Sequence, residues 1–175
     1  MAGKAYLTRM GIGFPGSVTR PQDLTAEPAI LDATKPFPSY GLAGKNVSGK
    51  FVPLEAGDDI KDVAGLFIRP YPTTNPTDAR SLGVTAGYTG DVLKRGYICV
   101  AVPTAQASAA KKGDKVYIRV AAPTTSSPLG SIVLTQDSTA ANTPELTIAK
   151  VMGPAMQRQP PPTATLKSPT TSKER

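Results

Sequence analysis

The sequence lacks histidine and tryptophan and has a single cysteine, and each absence excludes a class of chemistry. Histidine is the usual general base and a common zinc ligand near neutral pH, so Ser-His-Asp and Cys-His mechanisms are excluded. Cys99 alone can neither close an internal disulfide nor build a cysteine-rich metal site. We therefore expect a protein that is not an enzyme and that needs no cofactor or metal.

Long apolar runs are also missing. No stretch approaches the ~20 apolar residues that a helix needs to span a bilayer. Lys4 and Arg9 interrupt the first ten residues, so no secretory signal is encoded there. We expect a protein that is made in the cytoplasm and has no membrane partner.

What the sequence does contain favours short strands joined by turns. Among 175 residues there are 18 Pro and 16 Gly, and apolar residues make up 39%. This composition and length predict an all-β chain, with one domain over residues 1–155. Five prolines in the first forty residues leave no room for a helix, so residues 1–40 are expected to form an extended arm. Residues 156–175 are rich in Pro, Thr, Ser and Lys and are predicted to be a flexible tail.

Apolar patterning places the strands. Residues 97–102 form a continuous apolar run between a glycine and a proline, which is typical of a buried strand. Residues 115–120 alternate at period two, which would turn Val116, Ile118 and Val120 inward, and residues 145–151 repeat that pattern. The segment 105–112 has mild helix propensity and predicts at most one turn.

Two motifs that suggest ligand sites lack the context they need. Residues 11–16 match G-x-G-x-x-G, but Pro21 and Pro28 leave no room for the helix whose N-terminus would hold a pyrophosphate. Asp58, Asp59 and Asp62 lie close together, but their spacing is not that of a calcium loop, and we expect a solvated acidic turn.

The charge balance is basic, with a formal net charge of +7. Such a charge is compatible with nucleic acid, an acidic membrane surface or an acidic protein partner. Aromatic residues make up only 6% of the sequence, so few side chains are available to stack on the bases of a single strand. Attraction to an acidic protein explains the charge without a nucleic-acid motif, and ordinary solvated turn residues are the alternative interpretation.

A family resemblance rests on six segments taken in order, which are residues 13–20 (GFPGSVTR), 27–32 (EPAILD), 40–41 (YG), 65–72 (GLFIRPYP), 93–98 (LKRGYI) and 112–119 (KGDKVYIR). Together they resemble a tailed-bacteriophage capsid cement, or head decoration, protein. The resemblance implies a jelly-roll β-protein or β-sandwich of short antiparallel strands on the outside of the head. It also implies that the major capsid protein is the partner, that neighbouring capsid subunits are clamped together, and that the protein self-associates as a dimer or trimer.

The matched segments also supply the candidate interface residues, which are Arg20, Arg69, Tyr71, Lys94 and Arg95. An arginine in such a motif can instead hold a core turn by donating to backbone carbonyls, and the sequence leaves both roles open.

Three rival functions remain: a basic β-barrel that binds nucleic acid, a head-fibre or receptor-binding module, and a β-enzyme without histidine. Nucleic acid is the less expected partner.

Overall fold

The computed structural model describes residues 14–69 and 89–153, which form eight β-strands and one turn of α-helix. The prediction of an all-β chain with at most one helical turn near residue 105 is confirmed. The elements are β1 (Thr25–Leu31), β2 (Ala43–Val47), β3 (Lys50–Pro53), β4 (Gly65–Ile68), β5 (Thr89–Arg95), α1 (Thr104–Ala107), β6 (Lys115–Ile118), β7 (Ile132–Val133) and β8 (Glu145–Lys150). The division into a domain over residues 1–155 and a tail over 156–175 stays a prediction.

The first five strands close into a barrel in the order β1-β3-β2-β4-β5. The antiparallel β1–β5 ladder runs from Thr25 opposite Arg95 to Ile30 opposite Thr89. β1 and β3 close the barrel as a parallel pair of only two residue positions. The strands are short and mostly antiparallel, as expected, but a closed barrel with one parallel seam does not confirm the jelly-roll topology that the resemblance implies.

The last three strands form a separate antiparallel sheet in the order β7-β6-β8. The predicted inward set of β6 and its extension, Val116, Ile118 and Val120, is buried. The register between β6 and β8 shifts along the ladder, which marks an irregularity of the β-bulge type. Thr147 and Ile148 in β8 are consecutive exposed residues, so the simple alternation predicted for residues 145–151 is interrupted.

Two apolar clusters hold the described residues together. The first contains four aromatic rings and three aliphatic side chains from the barrel, namely Leu31, Phe37, Tyr40, Leu42, Phe51, Phe67 and Val92. Phe37 is central to it, because its ring stacks on Phe51 at 5.0 Å and on Phe67 at 4.7 Å between centroids. The second cluster joins barrel residues to the three-stranded sheet, through Ala43, Leu54, Val116, Ile118, Val120 and Ile132.

Gly130 connects the two sheets at one close backbone contact. The Ala43 N–H at the start of β2 donates to the Gly130 carbonyl at 2.8 Å. Gly130 has φ +78°, and a Cβ at this position would lie 2.5 Å from the Ala43 carbonyl oxygen. A side chain is therefore opposed both by the left-handed backbone and by the neighbouring strand.

The prediction of a continuous strand over residues 97–102 is wrong. The strand in this region is β5, which ends at Arg95, and Gly96 with φ +141° interrupts the extended chain after it. Residues 97–99 instead pair with residues 16–19 through a single antiparallel bridge, Val18 to Ile98, and three backbone hydrogen bonds. Residues 97–100 are half-buried. The apolar run therefore led to a prediction of a strand that is longer and more buried than the one observed.

The proline-rich N-terminal region is extended where it is described, and much of it belongs to the barrel. β1, which contains Pro28, lies between β3 and β5. Pro28 has no N–H to donate, and the pairing of β1 with β3 is confined to Ile30 and Leu31, beyond the proline. Phe37 and Tyr40 then place their rings in the first cluster.

Candidate functional site

Arg69 directly follows β4 and is buried, with 9% of the residue exposed. Its guanidinium carbon lies 4.4 Å from the ring centroid of Tyr40 and 5.9 Å from that of Phe14. Its backbone N–H donates to the Gly16 carbonyl at 2.8 Å. Arg69 therefore holds residues 14–16 against the barrel through cation–π contacts and a backbone hydrogen bond, which is an internal role.

Arg20 is exposed and makes a different contact. Its guanidinium carbon lies 4.4 Å above the ring of Tyr97. The Thr19 N–H donates to the Tyr97 carbonyl at 3.0 Å, so the backbone brings these two side chains together. Within the described residues, the Arg20 side chain makes no hydrogen bond or ion pair. The stack thus leaves its N–H groups available to a partner.

Lys94 and Arg95 are adjacent in β5 but differ in their contacts. Lys94 Nζ donates to the Ala64 carbonyl at 2.9 Å and lies 3.3 Å from a Glu27 carboxylate oxygen, so it is tied to the barrel. Arg95, the last residue of β5, is exposed and has no ion pair in the described part of the chain. The remaining candidate, Tyr71, lies outside the described residues.

The structure places Arg69 and Arg95 at opposite ends of the β4–β5 pair. Ile68 lies opposite Asp91 near the start of β5, which places Arg69 at that end. Arg95 lies at the other end of β5, and Gly96 separates it from Tyr97, on which Arg20 stacks. Arg20 and Arg95 are therefore the predicted residues that share an exposed region, which we call the arginine end.

The positive charge is not spread evenly along the chain. The described residues include 13 basic and 11 acidic side chains, so the described part of the protein is nearly neutral. Most of the net charge of +7 therefore belongs to sequence outside these residues, including Lys4, Arg9, Arg158 and Lys167. A broad basic surface is not present in the described part.

Most basic side chains of the described part are already neutralised by carboxylates. Seven have an acidic partner within 4.0 Å, namely Lys35, Lys45, Lys50, Lys94, Lys115, Arg119 and Lys150. The exposed basic residues without an ion pair in the described ranges are Arg20, Lys61, Arg95, Lys111 and Lys112. These residues are the ones that can offer positive charge to a partner.

Arg119 has a structural role that sequence reasoning missed. It is buried, and its Nε donates to Ser127 Oγ at 3.0 Å. Its terminal nitrogen donates to the Ala122 carbonyl at 2.8 Å and lies 3.1 Å from an Asp137 carboxylate oxygen. Hydrogen bonds from Asn142 and Arg119 lower the pKa of Asp137. The alternation of residues 115–120 predicts a wet face for Arg119, and no local signal reveals that two loops cover it.

The acidic turn is satisfied by the protein itself. Asp59 and Asp62 cap a 3₁₀ turn over Ile60–Asp62, each accepting from backbone N–H groups. Burial raises the pKa of Asp58, but hydrogen bonds from the Glu55 N–H and from Lys45 outweigh it, so the net shift is downward. Among the described residues, no group of three or more Cys, Asp or Glu side chains is arranged to hold a metal ion. Asp59 and Asp62 are exposed, as the prediction of a solvated acidic turn requires, whereas the Asp58 side chain is only 15% exposed and accepts from Lys45.

The glycine-rich motif does not open a helix in the part of it that is described. Gly16 has φ +83°, and a Cβ there would lie 2.5 Å from Tyr40 Cβ. It is followed by the bridge to Ile98 and then by a three-residue 3₁₀ turn over Pro21–Asp23. Close packing against Tyr40 and Arg69 therefore accounts for this glycine without a bound nucleotide.

A shallow groove lies where the barrel is least closed, between β1 and the turn that joins β2 to β3. Its volume is about 290 Å³, and Pro28, Ile30, Asn46 and Lys94 are among its lining residues. Ile30 is 59% exposed at this seam. No constellation of polar groups in the groove suggests catalysis.

Comparisons with known proteins place the chain in a family. A family model described as the XM1 gp53 minor capsid protein matches residues 3–160. No curated protein and no solved structure gives a significant match. No helix in the described ranges is long and apolar enough to cross a membrane. Since the family model covers most of the sequence, the chain belongs to the XM1 gp53 minor capsid protein family, a family of structural proteins of the phage virion.

Proposed function

We propose that this protein is a cement protein of the phage head, which binds the outside of the capsid and clamps neighbouring major-capsid subunits together. Its membership in a minor capsid family is the observation that carries this proposal. The absence of histidine and the internal satisfaction of the acidic turn agree with a role that requires no catalysis. In this role the protein acts by binding alone.

The mechanism is interfacial. Packaged DNA strains the joints between capsid subunits, and a protein bound across a joint stabilises the closed shell by binding that state preferentially. An aromatic barrel core joined to a second sheet provides a scaffold that can transmit this load. The contribution of each copy is multiplied by the number of joints that are occupied, so a modest interface is sufficient.

The major capsid protein is the proposed partner, and copies of the chain are proposed to associate as dimers or trimers on the capsid. A nucleic-acid-binding barrel is the alternative. The near-neutral charge of the described residues favours the capsid, because nucleic-acid affinity depends on many phosphate-neutralising cations. The barrel aromatics Phe37, Phe51 and Phe67 are buried and cannot stack on bases.

Co-sedimentation with capsids tests this proposal. Purified protein is mixed with heads that lack it, and separately with double-stranded DNA, across a salt series. Saturable binding to heads at a fixed ratio to capsid subunits, with no comparable binding to DNA, is the expected result. Binding to DNA with no binding to heads contradicts the proposal.

A further inference from the structure

The few uncommitted cations of the described part differ in how they are held. Lys61, Lys111 and Lys112 are exposed ammonium groups on flexible stems, with no ion pair in the described ranges. Fixing such a side chain in a complex costs conformational entropy. Arg20 instead rests on the Tyr97 ring, with its guanidinium carbon 4.4 Å from the centroid. Arg20 therefore loses less side-chain conformational entropy when a partner binds, because the stack already restricts it.

Stacking also determines which part of Arg20 remains usable. A cation–π contact occupies one face of the guanidinium and leaves the N–H groups at its edge free to donate. Two parallel N–H groups match the two oxygens of a carboxylate, which a lysine ammonium cannot do. A stacked, exposed arginine without an internal acceptor is therefore suited to bind a carboxylate side chain.

The platform beneath Arg20 is fixed by backbone contacts. Tyr97 accepts from the Thr19 N–H at 3.0 Å, and the Cys99 N–H donates to the Ser17 carbonyl at 2.9 Å. Arg95 adds a second uncommitted guanidinium two residues before Tyr97, opposite Thr25 in the β1–β5 ladder. The arginine end therefore presents two arginines on the scaffold of the barrel.

We infer that the arginine end is the docking point of the protein and that Arg20, supported by Tyr97 and accompanied by Arg95, binds carboxylate side chains on the major capsid protein. This inference rests on the proposed function and specifies the chemistry of its partner. It also separates the predicted interface residues, since Arg69 is buried and Lys94 is tied to the barrel by Ala64 and Glu27. Arg20 and Arg95 contact the capsid.

The test compares two double variants that remove the same charge from different places. Arg20→Gln with Arg95→Gln neutralises the arginine end, whereas Lys111→Gln with Lys112→Gln neutralises the turn before β6. Binding to heads that lack the protein is measured by co-sedimentation across a salt series, with double-stranded DNA as a parallel probe. Melting temperatures establish that each variant is folded.

We expect the arginine variant to bind heads about tenfold or more weakly at low salt, because charge-assisted contacts are lost, and the lysine variant to stay within about twofold of the wild type. Tyr97→Leu is expected to weaken binding in the wild-type background but not in the Arg20→Gln background. Tyr97→Phe keeps the ring and is expected to bind normally. This non-additivity identifies Tyr97 as a positioning residue.

Three results contradict the inference, and they are distinguishable. Equal weakening by both double variants means that net charge, not the arginine end, determines docking. Loss of DNA binding without loss of head binding in the arginine variant assigns these residues to phosphates. Failure of the wild-type protein to bind heads at all contradicts the proposed function itself.

Discussion

At the scale of single residues, Gly130 is the position where the sheets depend on the absence of a side chain. Gly49 provides a matched control, because both glycines have φ +78° but nothing lies within 4 Å of a Cβ at Gly49. Gly49→Ala is expected to cost about 1 kcal/mol for the left-handed backbone. Gly130→Ala adds the contact with Ala43 and is expected to cost roughly 2–4 kcal/mol. Urea unfolding of both variants measures the difference, and equal losses would show that the close contact relaxes freely.

Arg119 and Arg95 form a second matched pair of single residues. Arg119→Met removes the donor shared by Ser127, the Ala122 carbonyl and Asp137 and is expected to lower the free energy of unfolding by roughly 1–3 kcal/mol. Arg95→Met removes an exposed arginine without an ion pair in the described residues and is expected to change stability by about 0.5 kcal/mol or less. Chemical denaturation measures the free energy of unfolding of both variants. Similar stabilities would contradict the role assigned to Arg119.

The same two residues show why local sequence leaves the role of an arginine open. Both lie near the ends of apolar strand segments, and nothing nearby in the sequence distinguishes them. Arg119 is buried because Ser127 and Asp137, which lie 8 and 18 residues further along the chain, contact it. Arg95 lies at the end of the ladder and remains exposed. The difference therefore comes from tertiary contacts.

At the scale of elements, the loop after β3 is expected to make stability depend on acid. Lys35 and Lys45 lower the pKa of Glu55, and the hydrogen bond from Lys45 and the Glu55 N–H lower that of Asp58 despite its burial. A carboxylate whose pKa is lowered by folding stabilises the native state above its unfolded pKa. That stabilisation is lost as the pH falls through the folded value. We therefore expect the free energy of unfolding to fall as the pH drops below about 4.

Lys45→Met tests the origin of this acid dependence. It removes the cation shared by Glu55 and Asp58, so the pKa shifts become smaller and less stability remains to be lost in acid. Lys61→Met is the control, because Lys61 is exposed and has no ion pair in the described part of the chain. Urea unfolding across the acid range compares the slopes. Identical slopes in all three proteins would show that other carboxylates control the acid response.

The inward face of β6 was predictable from its alternation, whereas the length of a segment set by its pairing partner was not. Val116, Ile118 and Val120 could be placed inside because period-two alternation has one physical meaning at a half-buried sheet. The run over residues 97–102 is equally apolar, but it pairs with only a short segment, residues 16–19. Strand length there is set by that partner and by Gly96.

At the scale of the whole molecule, composition predicted the all-β class but not the closed barrel. Closure depends on Thr25 pairing with Arg95 and on Ile30 pairing with Lys50, which are contacts between distant parts of the chain. Such pairings have no signature in a local window. The sequence proposes five candidate interface residues without ranking them, and the fold was needed to separate buried Arg69 from exposed Arg20 and Arg95.

Rupture of heads with and without the protein tests the central claim, that binding of this protein stabilises the capsid. DNA-filled heads that lack the protein are heated, alone and after addition of purified protein, and DNA release is followed with an intercalating dye. We expect saturating protein to raise the temperature at which DNA is released. The Arg20→Gln and Arg95→Gln double variant is expected to raise it only at higher protein concentration. An unchanged release temperature at full occupancy would contradict the account.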